Sequence, residues 1–168
     1  MTQLDRIWNG WRSQYVNEAG GRQAGRAGSV FTQLLASGLP DTETNIINRG
    51  LLTFAVLNAF PYTSGHLLVL PYREVGELDD LTPQEAAELW PMVTAAVRAV
   101  KAAYRPGGVN VGINMGQAAG GSISEHLHVH VVPRWNGDGN FMTAVAEART
   151  LPEPLSVSAG KLRAAWPG

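Results

Sequence analysis

Three of the four histidines in this 168-residue chain lie at alternate positions in one short segment. They are His126, His128 and His130, and single apolar residues separate them. In an extended strand, alternate side chains point to the same face. The sequence therefore predicts a strand within residues 125–135 that turns three imidazoles to one side and apolar residues to a core. Pro133 cannot donate to a sheet, so we expect the strand to end near it.

Three kinds of chemistry are open to this row of imidazoles. It could bind zinc or iron, because histidines on a strand are plausible ligands, although Glu125 alternates to the wrong face to join them. It could act in nucleophilic catalysis, in which a neutral imidazole attacks phosphorus and forms a covalent phosphoramidate. It could also be a structural, hydrogen-bonded polar layer. The structural interpretation would leave every histidine of the chain without a chemical role.

The glycine-rich segment 116–122 directly before the row favours the nucleophilic interpretation. Glycines let backbone amides approach a phosphate closely, whereas a metal-only account gives this segment no role. The nucleophile would be His128, the middle member of the row. Its neighbours His126 and His130 are potential donors to the charged phosphate oxygens.

The composition argues against several classes of protein. The net charge is −1 without a basic run, which argues against a nucleic-acid partner held by counterion release. The absence of cysteine excludes a disulfide framework and a thiolate site. No apolar run reaches the roughly 18 residues of a membrane span, and the start lacks the features of a signal peptide. We therefore expect a cytoplasmic protein with no membrane partner.

The elements that must position the histidines can be placed from turn and periodicity signals. Short apolar runs bounded by turn residues predict strands at 51–57, 66–70 and 109–114. A long helix is predicted over residues 82–105, since Thr82 can cap it and Glu85 completes a capping box. Pro91 lies inside the helical pattern and should kink the helix or restart it.

The remaining segments complete the expected organisation of one domain. We predict helices at 4–15, at 30–37 and in the tail after 154, strand or helix at 141–146, and a glycine-rich loop at 19–29. Arg22 and Arg26 of that loop could meet phosphates or form a solvated basic loop. The pattern predicts an α+β fold, an antiparallel sheet of about five strands with helices packed on one side. We divide the chain into an N-terminal helix and loop (1–30), a catalytic core (51–135) and a C-terminal extension (136–168).

Two separated motifs resemble one known family in order and spacing. Residues 126–132, His-Leu-His-Val-His-Val-Val, resemble the signature of the histidine triad (HIT) family. Residues 57–69 are similar to the upstream hairpin of that family, whose histidine, here His66, joins the triad. The resemblance covers residues 54–135. With residues 119–135 and the Trp-bearing N-terminal helix, it is closest to the actinobacterial branch that includes diadenosine tetraphosphate phosphorylases.

The resemblance implies a HIT-like fold, a homodimer or a higher assembly, and a role for each matched residue. His128 would be the nucleophile that takes up a nucleoside monophosphate. His126 would orient it through its backbone carbonyl to Nδ1 of His128, and His130 and His66 would contact the phosphate. The nucleotide-binding positions that it implies are Asn58 for the ribose, Val56 and Leu68 for the base, and Asn114, Gly121, Ser122 and Trp135 for the phosphates.

The resemblance also implies the reaction. We expect nucleotidyl transfer from dinucleoside polyphosphates, in which diadenosine tetraphosphate and inorganic phosphate give ATP and ADP. The alternative is a hydrolase of dinucleoside polyphosphates or nucleoside phosphoramidates that releases AMP. More distant alternatives are a metal-dependent enzyme that uses the histidine row and a nucleotide-binding regulator.

No cofactor is expected to be required, although Mg²⁺ can accompany the nucleotide. Many relatives carry a Cys-x-x-Cys zinc pair near the N-terminus. Here Ser29, Val30, Phe31 and Thr32 stand in that place. We therefore expect no structural zinc.

Overall fold

The computed structural model describes residues 28–121, 123–138 and 153–168. Its helices are α1 (Val30–Ala36), α2 (Asp41–Thr44), α3 (Pro83–Tyr104) and α4 (Leu155–Ala164), and its strands are β1 (Ile46–Arg49), β2 (Thr53–Leu57), β3 (Leu67–Pro71), β4 (Gly108–Ile113) and β5 (Val129–Arg134). Two single turns of 3₁₀ helix, Leu78–Asp80 and Gln117–Ala119, lie in the loops. These elements confirm the predicted α+β class.

The strands form one antiparallel sheet in the order β1-β2-β3-β5-β4. Strand β5 lies between β3 and β4, and its His130 pairs with Leu68 of β3. The hairpin that carries His66 is therefore held directly beside the histidine segment. The five-stranded sheet is confirmed, but β1 had no strand signal of its own. Only its two isoleucines are apolar, and Asn48 and Arg49 follow them at once.

Both faces of the central strands are buried, which explains why their sequences are continuous apolar runs. One face packs against α3 and α4 and forms the larger core; it includes Ala55, Leu57, Leu67, Val69, Val129 and Val131 of the sheet and Leu89, Val93, Ala96, Val100, Ala159 and Leu162 of the helices. The opposite face carries a smaller cluster with Phe31 of α1, Ile46, Phe54, Val56, Leu68, Leu70 and Ile123. The two longest described helices thus share one side, and α1 adds a short layer on the other.

Helix α3 begins with the predicted capping box. The Thr82 hydroxyl accepts from the Glu85 amide at 3.2 Å, and the Glu85 carboxylate accepts from the Thr82 amide at 2.8 Å. Hydrogen bonds from Arg73 lower the pKa of Glu85 to about 2. The helix continues through Pro91 to Tyr104, so it does not restart at the proline.

The structure corrects the extent of the histidine strand. Strand β5 begins only at Val129, so the prediction of a strand through His126 and His128 is wrong. The Leu127 amide donates to the carbonyl of Val75 at 2.6 Å, in a loop rather than in a neighbouring strand. Pro133 lies inside β5, which ends one residue later at Arg134.

Several predictions lie outside the described residues. They concern the helix at 4–15, most of the loop at 19–29, Ser122 and the segment 141–146. The division of the chain into three parts also stays a prediction. Within 28–121, 123–138 and 153–168, no helix is both long enough and apolar enough to cross a membrane.

Candidate active site

His128 is held in one tautomer by the main chain beside it. Its Nδ1 lies 2.8 Å from the carbonyl oxygen of His126. A carbonyl can only accept, so Nδ1 carries the proton and Nε2 keeps its lone pair. Burial lowers the pKa of His128, which is 6 % exposed. The ring is therefore neutral at pH 7, which is the form that a nucleophile requires. The carbonyl contact implied by the family resemblance is present.

A second chain of hydrogen bonds fixes the protons of His66 and His130. The Tyr62 amide donates to Nδ1 of His66 at 3.1 Å, so a neutral His66 carries its proton on Nε2. Nε2 of His66 lies 2.9 Å from Nδ1 of His130 and donates to it. A neutral His130 must then carry its own proton on Nε2. At Nε2, His130 is therefore a hydrogen-bond donor, whereas His128 has a lone pair.

Two aromatic rings orient these imidazoles. Tyr62 stacks on His130 with ring centroids 5.9 Å apart and an interplanar angle of 15°. Phe31 of α1 lies 5.5 Å from His128 and 5.4 Å from His126, measured between ring centroids. Neither aromatic residue was among the predicted site residues. Phe31 had only its apolar type as a signal, and Tyr62 lies within the hairpin turn.

A pocket of about 330 Å³ opens in front of His128 and His130. This volume lies within the range of small-molecule sites. The predicted residues that line it are Val56, Asn58, Leu68, Asn114, Gly121, His128 and His130. Apolar side chains from β2, β3 and α1 form its walls. The end of α2 and the Asn45 that follows it contribute further polar groups that the sequence had not indicated.

The glycine-rich loop borders the pocket with closely packed backbone. A Cβ added to Gly121 would lie 2.9 Å from the carbonyl oxygen of Asn114 and 3.0 Å from that of Gly116. The Gly121 amide donates to the Gly116 carbonyl at 3.2 Å. Gly116 and Gly120 have positive φ angles of 70° and 86°, which favour glycine. The loop therefore depends on its glycines for its shape.

Trp135 and His66 are not among the residues that line the pocket. Trp135 packs edge-on against Tyr104, with ring centroids 6.3 Å apart. His66 contacts Nδ1 of His130 through its Nε2. Ser122 is outside the described residues. Asn58 lines the pocket, but its Oδ1 accepts from the Phe60 amide at 3.0 Å and helps to shape the turn.

His126 faces away from the pocket and is fully buried. Its Nε2 donates to the carbonyl of Pro71 at 2.9 Å, and its Nδ1 lies 2.7 Å from Oγ of Ser29. The predicted single face of three imidazoles is therefore wrong for His126. Two members reach the pocket, and the third anchors the chain behind them.

Comparisons with known proteins show the family of the chain. The HIT domain family matches residues 40–137, more than half of the chain. The chain belongs to the histidine triad family. It is 44 % identical to a protein named AP-4-A phosphorylase from Mycobacterium tuberculosis over 98 % of this chain and 85 % of the relative. It is 35 % identical to the asymmetrical bis(5'-nucleosyl)-tetraphosphatase of Schizosaccharomyces pombe over 56 % of this chain and 52 % of that protein.

A solved structure of the same family raises the question of zinc. The zinc-bound histidine triad protein of Mycobacterium smegmatis aligns with a TM-score of 0.66 and 31 % identity, over 82 % of this chain and 92 % of that one. Zinc in proteins is bound by cysteine, histidine and carboxylate side chains. In this chain Ser29 and Thr32 offer hydroxyls, and both nitrogens of His126 already have hydrogen-bond partners. The described residues contain no group of three or more histidines, cysteines or carboxylates arranged for a metal, so they do not fit such a centre.

Proposed function

We propose that the protein transfers a nucleotidyl group from a dinucleoside polyphosphate to inorganic phosphate, converting diadenosine tetraphosphate and phosphate into ATP and ADP. The observation that carries this proposal is the 2.8 Å contact between Nδ1 of His128 and the carbonyl oxygen of His126, from which the tautomer of His128 follows. Its Nδ1 is bonded to the main chain, and its ring lines the pocket with the Nε2 lone pair available. Among the relatives, the protein from M. tuberculosis bears the name of such a phosphorylase.

The first step forms a covalent intermediate. Nε2 of His128 attacks the α-phosphorus of one adenosine, and the bond from that phosphorus to the bridging oxygen breaks. ATP leaves, and an adenylyl group remains on His128 as a phosphoramidate. His130 lines the same pocket, and we propose that its Nε2 proton stabilises the charge that develops on the phosphate oxygens.

The second step releases the adenylyl group. An oxygen of inorganic phosphate attacks the same phosphorus, the bond from phosphorus to nitrogen breaks, and ADP leaves a neutral His128. We propose that the segment from Asn114 to Ser122 holds this phosphate through its amides, and that Asn58 binds the ribose while Val56 and Leu68 face the base. Trp135 stays a candidate for the phosphate end of the site.

Hydrolysis is the second candidate function, because relatives of the chain bear the names of hydrolases. These include the tetraphosphatase of S. pombe and the bis(5'-adenosyl)-triphosphatase of Dictyostelium discoideum, which is 36 % identical over 49 % of this chain and 55 % of that one. Water would then replace phosphate in the second step, and AMP would be the product. The first step and the role of His128 would be the same.

The product assay with and without phosphate decides between the two. The purified protein is incubated with diadenosine tetraphosphate alone and with excess inorganic phosphate, and the nucleotides are separated. We expect ATP and ADP with phosphate, and little turnover without it. AMP as the only second product in excess phosphate would contradict phosphorolysis and support the hydrolase.

Further features of the enzyme are part of the same proposal. We expect the reaction to need no cofactor from the protein, with Mg²⁺ entering only as a companion of the nucleotide. We also propose a cytoplasmic homodimer. Strand β4 is an edge of the sheet, and Val111 on it and Trp90 on α3 are 45 % and 49 % exposed, so both offer apolar surface to a second copy. Sedimentation analysis of the purified protein tests the assembly.

A further inference from the structure

A chain of polar groups connects the buried ring of His126 to the protein surface, and the proposed reaction makes no direct use of it. The Ser29 hydroxyl lies 2.7 Å from Nδ1 of His126, and both residues are 0 % exposed. The Thr32 hydroxyl lies 3.2 Å from the Ser29 hydroxyl and donates to Oε2 of Glu74 at 2.6 Å. The Ser29 amide donates to the same oxygen at 2.7 Å. We call Ser29, Thr32 and Glu74 the Ser29 network.

The direction of each proton in the Ser29 network follows from its partners. The Pro71 carbonyl can only accept, so a neutral His126 carries its proton on Nε2 and accepts at Nδ1. The Ser29 hydroxyl must then donate to Nδ1. The carboxylate of Glu74 receives the Thr32 hydroxyl and the Ser29 amide. Both hydroxyl protons then have their acceptors, so the 3.2 Å contact between the Ser29 and Thr32 hydroxyls carries no hydrogen bond of its own. The two bonds to the carboxylate, from the amide first, lower the pKa of Glu74 and keep it ionised.

The packing around the Ser29 network leaves little freedom to its members. Gly28 has a φ of 80°, and a Cβ there would lie 2.9 Å from Cγ2 of Thr32 and 3.1 Å from Oε2 of Glu74. The chain therefore passes close to both partners. Ser29 also caps α1 through a bond from the Thr32 amide, but at 3.2 Å this is longer than its bond to His126.

The Ser29 network bears on His128 because His126 makes contacts through both its ring and its main-chain carbonyl. Its ring is held by Ser29 and Pro71, and its carbonyl oxygen receives Nδ1 of His128. Because the ring and the carbonyl belong to the same residue, the anchoring of the His126 ring limits the orientation of the His126 carbonyl. A shift of the His126 main chain would weaken the single bond that keeps the proton of His128 on Nδ1.

We propose that Ser29, supported by Thr32 and Glu74, is a positioning residue for the nucleophile. It touches no substrate and acts through His126 on the tautomer and orientation of His128. This inference rests on the proposed nucleotidyl transfer through His128. It assigns a task to the residues that occupy the place of a zinc pair in many relatives.

Steady-state kinetics of the intact protein test the inference with Ser29→Gly. Glycine is tolerated at a helix N-cap, so this change removes the bond to His126 while largely sparing α1. With diadenosine tetraphosphate and phosphate, we expect kcat to fall by roughly 10- to 100-fold. This is the loss typical of changing a residue that orients a metal-ligating histidine, roughly 10- to 100-fold. KM should stay within about twofold because the pocket is unchanged. Ser29→Thr, which keeps the hydroxyl, should restore most of kcat.

The matched control is Ser37→Ala at the other end of α1. Among the described residues, the Ser37 hydroxyl donates to the Leu34 carbonyl and accepts from the Leu39 amide, both close to it in the chain. It should perturb the helix without changing kcat. Thr32→Val and Glu74→Gln give a second route, since both leave the Ser29 hydroxyl in place; each should lower kcat less than Ser29→Gly. If Ser29→Gly does not fold, these two variants decide, and wild-type kcat in both would overturn the inference.

The tautomers can also be measured directly and without substrate. Long-range ¹H–¹⁵N spectra of histidine-labelled protein should show the proton of His128 on Nδ1 in the wild type and a mixture of tautomers in Ser29→Gly. Unchanged His128 signals in Ser29→Gly would overturn the inference, whether or not kcat falls. If the wild type does not turn over diadenosine tetraphosphate, the proposed function fails, and the spectra still decide the positioning role.

Discussion

The two ends of the histidine segment use the same residue type for opposite purposes. At the pocket end, His128 and His130 line a cavity, and their hydrogen bonds place the ring protons on different nitrogens, Nδ1 of His128 and Nε2 of His130. At the other end, His126 is fully buried, and its two ring nitrogens are hydrogen-bonded to Ser29 and Pro71. Alternation in sequence does not distinguish these roles. The partners of the ring nitrogens do, because a carbonyl, an amide or a hydroxyl decides which nitrogen carries the proton.

The largest effect is expected from removing the pocket-end nucleophile. His128→Ala leaves no atom that can take the adenylyl group, so kcat should fall on the order of 10⁴-fold or more. Nucleotide binding should persist, because the walls of the pocket are intact. Turnover is measured with phosphate present, and binding by calorimetry. Near wild-type turnover in this variant would remove His128 from the mechanism.

His130→Ala sharpens the comparison within the pocket end. It removes a donor while the nucleophile and its carbonyl partner remain. Loss of one such donor typically costs about 10²- to 10³-fold in kcat. KM for diadenosine tetraphosphate should change much less, and single-turnover rates are the measurement. An equal loss in His128→Ala and His130→Ala would mean that the two rings do not divide the work as proposed.

Gly121→Ala tests the loop that faces both histidines. The new Cβ would lie 2.9 Å from the Asn114 carbonyl oxygen, so the loop must shift. A shift of this kind typically lowers the free energy of unfolding by roughly 1–3 kcal/mol. Because the loop is displaced, we also expect about a tenfold lower rate of the phosphate-dependent step. Formation of the adenylyl enzyme should be less affected. Gly112→Ala is the control, because a Cβ there meets nothing within 4 Å.

The pH dependence gives the smallest and most specific signal. Burial lowers the pKa of His128, so the neutral ring persists below the ordinary histidine value of about 6.5. The rate of adenylyl-enzyme formation, measured without phosphate, should stay constant as the pH falls through about 6.5 and decline only at a lower pH. A midpoint at or above that value would contradict a buried, neutral nucleophile.

The sequence predicted the sheet, the long helix and the pocket-end histidines, because these follow from local signals. Apolar runs indicated β2 and β3, the capping box at Thr82 indicated α3, and the family motif indicated His128. What could not be predicted are contacts between distant parts of the chain. Glu74 carries no motif, and only the fold brings it to Ser29, 45 positions away.

The extent of the histidine strand shows the same limit. Alternation of His126, His128 and His130 is equally compatible with a strand and with an extended loop. Nothing in the sequence indicates that the Leu127 amide donates to the carbonyl of Val75 in a loop. Strand β1 was missed for a related reason. It is stabilised by its pairing with β2 rather than by its own composition.

Rapid-quench mass spectrometry can detect the proposed adenylyl-His128 intermediate itself. The protein is mixed with diadenosine tetraphosphate without phosphate, quenched within milliseconds and digested under mildly alkaline conditions that preserve a phosphoramidate. We expect one adenylyl group per chain, located on His128, which disappears as ADP forms when phosphate is added. Turnover without such an adduct, or an adduct on another residue, would contradict the proposed intermediate.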